Sequence, residues 1–368
     1  AIFEFSGAFI AGGNVTKTIR KGIIDPTPIL GNPEILVWGM LSSLLAAALW
    51  LTVASWMGWP VSTTHSIIGA IVGFAMVGIG VDAVNWSKIG TIVISWVVSP
   101  MVGGTFSFLI MRSIQRFILD TDRPFRNAQR YAPLYIFFVG FLISLVTLFK
   151  GLKHLEIELN IPQSFLVALA FGSIIALIGR FLIDRLRMKE AESVHDQFTQ
   201  IEKIFGVMML FTACAMAFAH GSNDVANGIG PMAAVVSVVQ SGGEMAQKSA
   251  LPLWILVVGG CGIILGLATF GYRVIQTIGT KITELVPTRG FSAELAAAAT
   301  VVLASRTGIP VSTTHIAVGA VVGVGLARGI GALDLRVIGG IFMSWVITLP
   351  VGALLSIFFF FFFRGVFL

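Results

Sequence analysis

The sequence predicts an all-α polytopic membrane protein, and three observations carry that prediction. Of the 368 residues 56% are hydrophobic and only 11% charged, with a mean hydropathy of +0.92, whereas soluble domains carry about 25% charged residues. Apolar blocks long enough to cross hydrocarbon as helices, which takes about 20 residues, recur along the whole chain and leave no room for a separate soluble domain. A short polar motif, Pro-Val-Ser-Thr-Thr-His, stands between such blocks twice, at 60–65 and 310–315.

The blocks run over 1–16, 35–57, 61–81, 87–111, 132–149, 163–183, 204–239, 252–272, 291–304, 310–327 and 337–363. All are continuously apolar and rich in Gly and Ala, unlike the alternating spans of about ten residues in a membrane barrel. Residues 2–11 lack the basic start and cleavage site of a signal peptide, and the chain opens on Ala1, so a segment preceding residue 1 is expected. Arg112, Arg116, Arg123, Arg126 and Arg130 fill one linker, and Arg180, Arg185, Arg187, Lys189 and Lys203 another, with two apolar blocks between them. Two crossings return the chain to the same side. The positive-inside tendency then puts 112–130 and 180–203 in the cytoplasm and the 150–162 connection outside. In this setting the net charge of +6 reports orientation, not affinity for nucleic acid. Cys214 and Cys261 lie in apolar blocks and are expected to be buried, inert thiols, without a disulfide framework or metal cluster. The Phe run at 358–363 reads as lipid-facing bulk.

Internal repetition organises the chain. Gly58 and 60–65 match Gly308 and 310–315 at a constant offset of 250 positions, and Gly69, Ala70 and Gly73 fall on Gly319, Ala320 and Gly323. Counting crossings from the basic linkers, with 204–239 taken as one broken crossing, the last block exits outward where its first-half equivalent ran inward. The expected organisation is therefore two inverted-topology repeats, 1–111 and 204–368, flanking a linker region with two membrane helices at 112–203. Each repeat carries an interrupted or re-entrant helical hairpin at its motif. Inverted repeats with a site near the midplane are a recurring plan of secondary transporters.

The motif itself has a plain reading: Gly and Pro interrupt one helix and Ser or Thr caps the next. Its duplication in inverted halves allows two helix starts to converge. Free amides, partial positive charge and three adjacent hydroxyls at each start suit a small tetrahedral oxyanion. Ser62, Thr63, Thr64, Ser312, Thr313 and Thr314 are the candidate donors, and phosphate and sulfate both fit. No Lys or Arg occurs in either motif, which points to capture by hydrogen bonding and allows release. His65 and His315 are accessory candidates that either donate to the anion, carry a proton or serve as structural hydrogen-bonding residues.

Block 204–239 contains a polar island, His220-Gly221-Ser222-Asn223-Asp224-Val225-Ala226-Asn227-Gly228. An ionisable residue at such depth is a functional candidate. One carboxylate, Asp224, among the neutral oxygens of Ser222, Asn223 and Asn227 suits a monovalent cation such as Na+ better than a divalent one. A proton on Asp224 is the rival, and a cap at a break in an overlong helix is the reading without function.

At these residues the sequence resembles the inorganic phosphate transporter family, PiT. The resemblance spans essentially the whole chain and rests on GSNDVANGIGP at 221–231, both PVSTTH segments, and the opening FEFSGAFIAG followed by Val15-Thr16-Lys17-Thr18-Ile19-Arg20. The family carries its Asn-Asp motif once per half, and this chain has the later copy. Aligning 15–19 with 274–278, an offset of 259 positions, puts the counterpart of Asp224 before residue 1. Glu4 matches an acidic family position, although its second-half counterpart is Ile263, so it is an accessory candidate. The resemblance implies uptake of inorganic phosphate driven by Na+ or H+, about a dozen membrane segments in the full-length chain, a homodimer and residence in the cell membrane. In it the six hydroxyl residues hold phosphate, and Asn223, Asp224, Asn227 and Ser222 hold the coupling ion. Rival readings are a proton-coupled phosphate, metal-phosphate or sulfate permease of the same family, and, in another class, an anion channel or membrane receptor. An enzyme is not expected, because no nucleophile with a base and no nucleotide loop occurs; no cofactor is implied.

Overall fold

The structure is a computed structural model that describes residues 1–13, 16, 19, 22–25, 27–29, 32–150, 160–185, 194–242, 252–306 and 310–367. Val15, Lys17, Thr18, Arg20, Arg187, Lys189 and Gly308 lie outside the described residues, as does most of the 150–162 connection. Besides three short 3-10 turns, eleven helical elements follow one another among the described residues: α1 Ile2–Ala11, α2 Pro33–Trp56, α3 Thr63–Gly78, α4 Trp86–Ile114, α5 Pro124–Lys150, α6 Ile161–Asp184, α7 Val194–Gln240, α8 Leu253–Lys281, α9 Pro287–Arg306, α10 Thr313–Arg328 and α11 Leu335–Phe367. Extended pairing among them is confined to an isolated bridge between Ile24 and Val84.

Local chemistry sets the helix starts. Pro33 opens α2 at a position whose amide has no helical partner anyway. The Asn85 side chain accepts from the Lys88 amide at 3.0 Å to cap α4. Asn160 and Gln163 form a reciprocal capping box at α6. Seven elements, α2, α4, α5, α6, α7, α8 and α11, contain stretches long and apolar enough to cross a membrane, while α1, α3 and α10 are shorter. The chain is thus a multi-span membrane protein, and its many exposed Phe, Leu, Val and Met side chains are those expected on surfaces that meet hydrocarbon.

The structure corrects two sequence expectations. The polar island does not break its helix: α7 runs unbroken for 47 residues, with Pro231 inside it. Its polar side chains find partners on neighbouring helices, so no backbone group has to be freed to serve them, and the length needs no break because the polar first turns can lie beyond the hydrocarbon. Nor are both thiols buried: Cys261 is exposed and Cys214 half-buried. An apolar residue of a membrane span can be covered by lipid instead of by protein.

The two short motif helices, α3 and α10, are each held by an element of the other half of the chain. α3 packs on α2 and also on α11 from the far end of the chain, while α10 packs on α9 and also on α4. The repeated glycines make this possible: side chains at Gly69 and Gly73 would collide with the backbone at Leu349 and Ala353, and side chains at Gly319 and Gly323 with the backbone at Pro100 and Gly104. Apolar clusters surround each unit, one built around Ile67, Ile71 and Phe74 and the other around Ile316, Val321 and Val324. A third joins α5 and α6 to α7 and α9.

Candidate anion and cation site

The motif residues fold as two helix starts that face one another. The Ser62 hydroxyl oxygen accepts from the His65 amide at 3.1 Å, and Ser312 does the same for His315 at 3.2 Å. Each serine is therefore an N-cap, and its own O–H remains free to donate. Thr64 donates to the Val311 carbonyl at 3.2 Å, and Thr314 donates to the Val61 carbonyl at 3.3 Å. Each motif's second threonine thus bonds to the other motif's backbone, which stitches the starts of α3 and α10 together. The amides at the head of an α-helix have no carbonyl four residues earlier to bond to, so both starts bring polar hydrogens to one buried region.

The acidic island of α7 lies against this junction. Asp224, 8% exposed, accepts at Oδ2 from Thr63 at 3.0 Å and from Thr313 at 2.9 Å, one hydroxyl from each motif. Its Oδ1 accepts from the Asn223 amide group at 2.8 Å, which also donates to the Val311 carbonyl at 2.9 Å. Asn227 donates to Thr63 at 3.1 Å and Thr64 at 3.3 Å. These bonds use the amide nitrogens and leave Asn223 Oδ1 and Asn227 Oδ1 buried without a partner. Unpaired buried carbonyl oxygens are costly, and two of them beside one carboxylate form a donor set for a hard monovalent cation. Ser222 turns its hydroxyl onto the Ala219 carbonyl of its own helix at 2.7 Å, keeping only lone pairs to offer.

The accessory candidates take up separate places. Glu4 reaches the region through His220, not directly. His220 Nδ1 lies 2.9 Å from Glu4 Oε2, and its Nε2 lies 3.4 Å from Asp224 Oδ2. Backbone contact brings the pair together, since side chains at Gly7 or Gly221 would collide with Phe218 or Glu4 carbonyls across the α1–α7 crossing. His65 donates from Nδ1 to the Trp345 carbonyl at 3.3 Å and His315 to the Trp96 carbonyl at 3.2 Å, with the two imidazole centroids 4.4 Å apart.

Sequence reasoning passed over three of these participants, His220, Trp96 and Trp345, and one half-buried carboxylate elsewhere in the bundle, Glu294. His220 stands one helical turn before Asp224, a spacing that puts both on one face. Trp96 and Trp345 each follow a serine, 249 positions apart, a second echo of the repeat. Glu294, which accepts from Thr212 at 2.6 Å, offered the same signal as Asp224, a carboxylate in an apolar block.

Known proteins share this arrangement of sequence and fold. The sequence profile of the phosphate transporter family matches residues 1–356. The chain belongs to that family. It is 49% identical to a Haemophilus influenzae protein named putative phosphate permease, over 100% of this chain and 87% of the relative. It is also 41% identical to the chloroplastic inorganic phosphate transporter 2-1 of Arabidopsis thaliana, over 97% of this chain and 64% of the relative. Among solved structures it superposes with a TM-score of 0.90 on a sodium-dependent phosphate transporter, 37% identical, covering 99% of this chain and 88% of that one. The chain is accordingly a membrane transporter of the phosphate class and not an enzyme.

Proposed function

We propose that this transporter imports inorganic phosphate across the cell membrane together with Na+, by alternating access between two inverted repeats, as one subunit of a homodimer. The observation that carries this reading is the double tether of Asp224: a single carboxylate accepts hydroxyls from Thr63 and Thr313, one from each PVSTTH helix. A cation beside Asp224 and an anion at the helix starts would share those threonines. Each ion lowers the electrostatic cost of holding the other away from water, which is a physical basis for obligatory coupling. In this reading phosphate takes hydrogens from the free O–H groups of Ser62 and Ser312 and from the helix-start amides, and from the threonine hydroxyls once these turn away from Asp224 and from the Val61 and Val311 carbonyls that they bond in its absence. Na+ is cargo too, taken by Asp224 and the Asn223 and Asn227 amide oxygens, with Ser222 contributing a lone pair. The absence of Lys and Arg from both motifs leaves the anion bound by hydrogen bonds and partial charges, which favours release on the far side.

Phosphate uptake into proteoliposomes with an inward Na+ gradient tests the proposal. Uptake should be saturable, should stop when choline replaces Na+, and should be lost in Asp224→Ala. Undiminished uptake by that variant would remove Asp224 from the mechanism, uptake persisting in choline with an inward proton gradient would assign the coupling to H+, and competition by sulfate would reassign the anion.

A further inference from the structure

The outer face of α5 carries charge and apolar surface in one line. Arg123, Arg126, Arg130, Leu134 and Phe138 are all exposed, and their spacing of three or four residues puts them on a single helical face. Arg123 shares the register because its carbonyl accepts the Asn127 amide at 3.0 Å. Ala128, Ala132, Ile136 and Val139, on the opposite face, are buried against the rest of the bundle. The stripe thus runs from three guanidiniums at the start of the helix to apolar side chains further along it. A fourth exposed arginine, Arg116, stands in the turn after α4. Its neighbour Phe117, 50% exposed, has its ring 6.3 Å from that of Tyr131, and Arg130 lies over the same tyrosine ring at 5.8 Å.

These charges are not answered within the protein. Among the described residues Arg116, Arg123, Arg126 and Arg130 form no ion pair, and Asp120 and Asp122, the acids of the same linker, form none either. On α6, by contrast, Arg180 has Asp184 at 3.7 Å. Depth makes the difference matter. The membrane-crossing stretch of α5 is Pro124–Leu145, and Arg123 and Arg130 are seven residues apart, a rise of about 10 Å. The head-group layer of one leaflet is roughly 5–8 Å thick. The row of guanidiniums therefore reaches from water to the level of the lipid phosphates, where a cation is costly unless it is paired.

The two parts of the stripe narrow the occupant. A soluble anion meets the arginines and leaves Leu134 and Phe138 uncovered. An acidic protein segment would have to carry unpaired backbone into hydrocarbon to reach them. A zwitterionic lipid brings its own cation against the neighbouring arginines. A lipid with a net negative head group satisfies both parts, because its phosphate oxygens accept from guanidiniums, whose forked geometry suits them, while its chains lie on the apolar end. We propose that the stripe, with Arg116 and Phe117 beside it, is a binding site for an anionic phospholipid of the surrounding bilayer. The proposal rests on the chain's being a multi-span membrane protein and not on the phosphate and Na+ reading.

Native mass spectrometry of the full chain in detergent tests it, with phosphatidylglycerol and phosphatidylcholine of identical acyl chains as probes. Phosphatidylglycerol should bind about a hundredfold more tightly, since each of three arginines at a lipid surface contributes about fivefold. In the triple variant Arg123→Gln, Arg126→Gln, Arg130→Gln that preference should vanish, whereas Arg364→Gln, equally exposed in the last turn of α11, should keep it. Should the triple variant fail to insert, Arg126→Gln alone should lower the preference about fivefold. Neither inorganic phosphate nor glycerophosphoglycerol, the head group without its chains, should displace the lipid. Equal binding of the two lipids, a preference that survives the α5 substitutions or falls as far in Arg364→Gln, or displacement by either soluble phosphate overturns the proposal.

Discussion

At the residue scale the deciding feature is economy of hydrogen bonds around one carboxylate. Thr63 serves Asp224 as donor and Asn227 as acceptor at once, so altering it disturbs two partners. Thr313 makes the simpler test, because its hydroxyl donates to Asp224 at 2.9 Å and bonds to no other side chain among the described residues. Thr313→Val, with nearly the same shape, should weaken cation affinity by about 1.5–3 kcal/mol, the usual range for a hydrogen bond to a charged group. That is roughly ten- to hundredfold in the Na+ concentration for half-maximal uptake. An unchanged Na+ dependence would dissociate the threonine from the cation. Ser312 acts differently. It caps α10 by accepting from His315, and Ser312→Ala should cost about 1 kcal/mol of stability, read as a lowered melting temperature in detergent. Any further loss of phosphate affinity beyond that would report its free O–H.

At the scale of elements, the two short helices depend on bare backbone surfaces. Gly323 of α10 abuts the Gly104 carbonyl and the Ser107 hydroxyl, whereas Gly340 of α11 has open space where a side chain would go. Gly323→Val should therefore destabilise the protein by about 1–3 kcal/mol through overpacking, and Gly340→Ala should leave thermal stability within about 0.5 kcal/mol. Thermal unfolding of the two variants side by side checks the contrast, and equal effects would refute the crossing geometry. The same elements show where sequence patterning failed. Length alone argued for a break in 204–239, yet helical backbone satisfies itself in any environment, and His220, Asp224 and the Asn227 amide group of α7 found partners on α1, α3 and α10. A single chain segment carries no information about which neighbours will arrive.

For the whole molecule, the proposed coupling is a free energy shared by two sites. Because Asp224 and the two helix starts use the same threonines, Na+ should raise phosphate affinity, and phosphate should raise Na+ affinity by the same factor, within the typical range of roughly fivefold to 150-fold. Calorimetric titration of each ion at fixed concentrations of the other measures both factors. Independent binding would leave the shared hydroxyls without a coupling role. Orientation of the basic loops 112–130 and 180–203 toward the cytoplasm belongs to this scale too, and cysteine accessibility at Arg123→Cys from either side of the membrane would test it.

By itself the sequence determined the class and the element order, and it named the polar residues that gather at the candidate centre. Hydropathy is a property of residues in a row, helix caps act over three or four positions, and a repeat offset by 250 positions can be read without coordinates. Ser62 to Thr64, Ser312 to Thr314, Asn223, Asp224 and Asn227 were all legible that way, since a polar residue in a membrane span stands out against its neighbours. Only the tertiary structure decided that Thr63 and Thr313, 250 positions apart, meet on one carboxylate, that His220 stands between Glu4 and Asp224, and that α3 is clasped by α11 while α10 is clasped by α4. Those pairings depend on which glycines let which backbones touch, and close approach between distant segments leaves only small residues in the sequence, with nothing to say what they will touch.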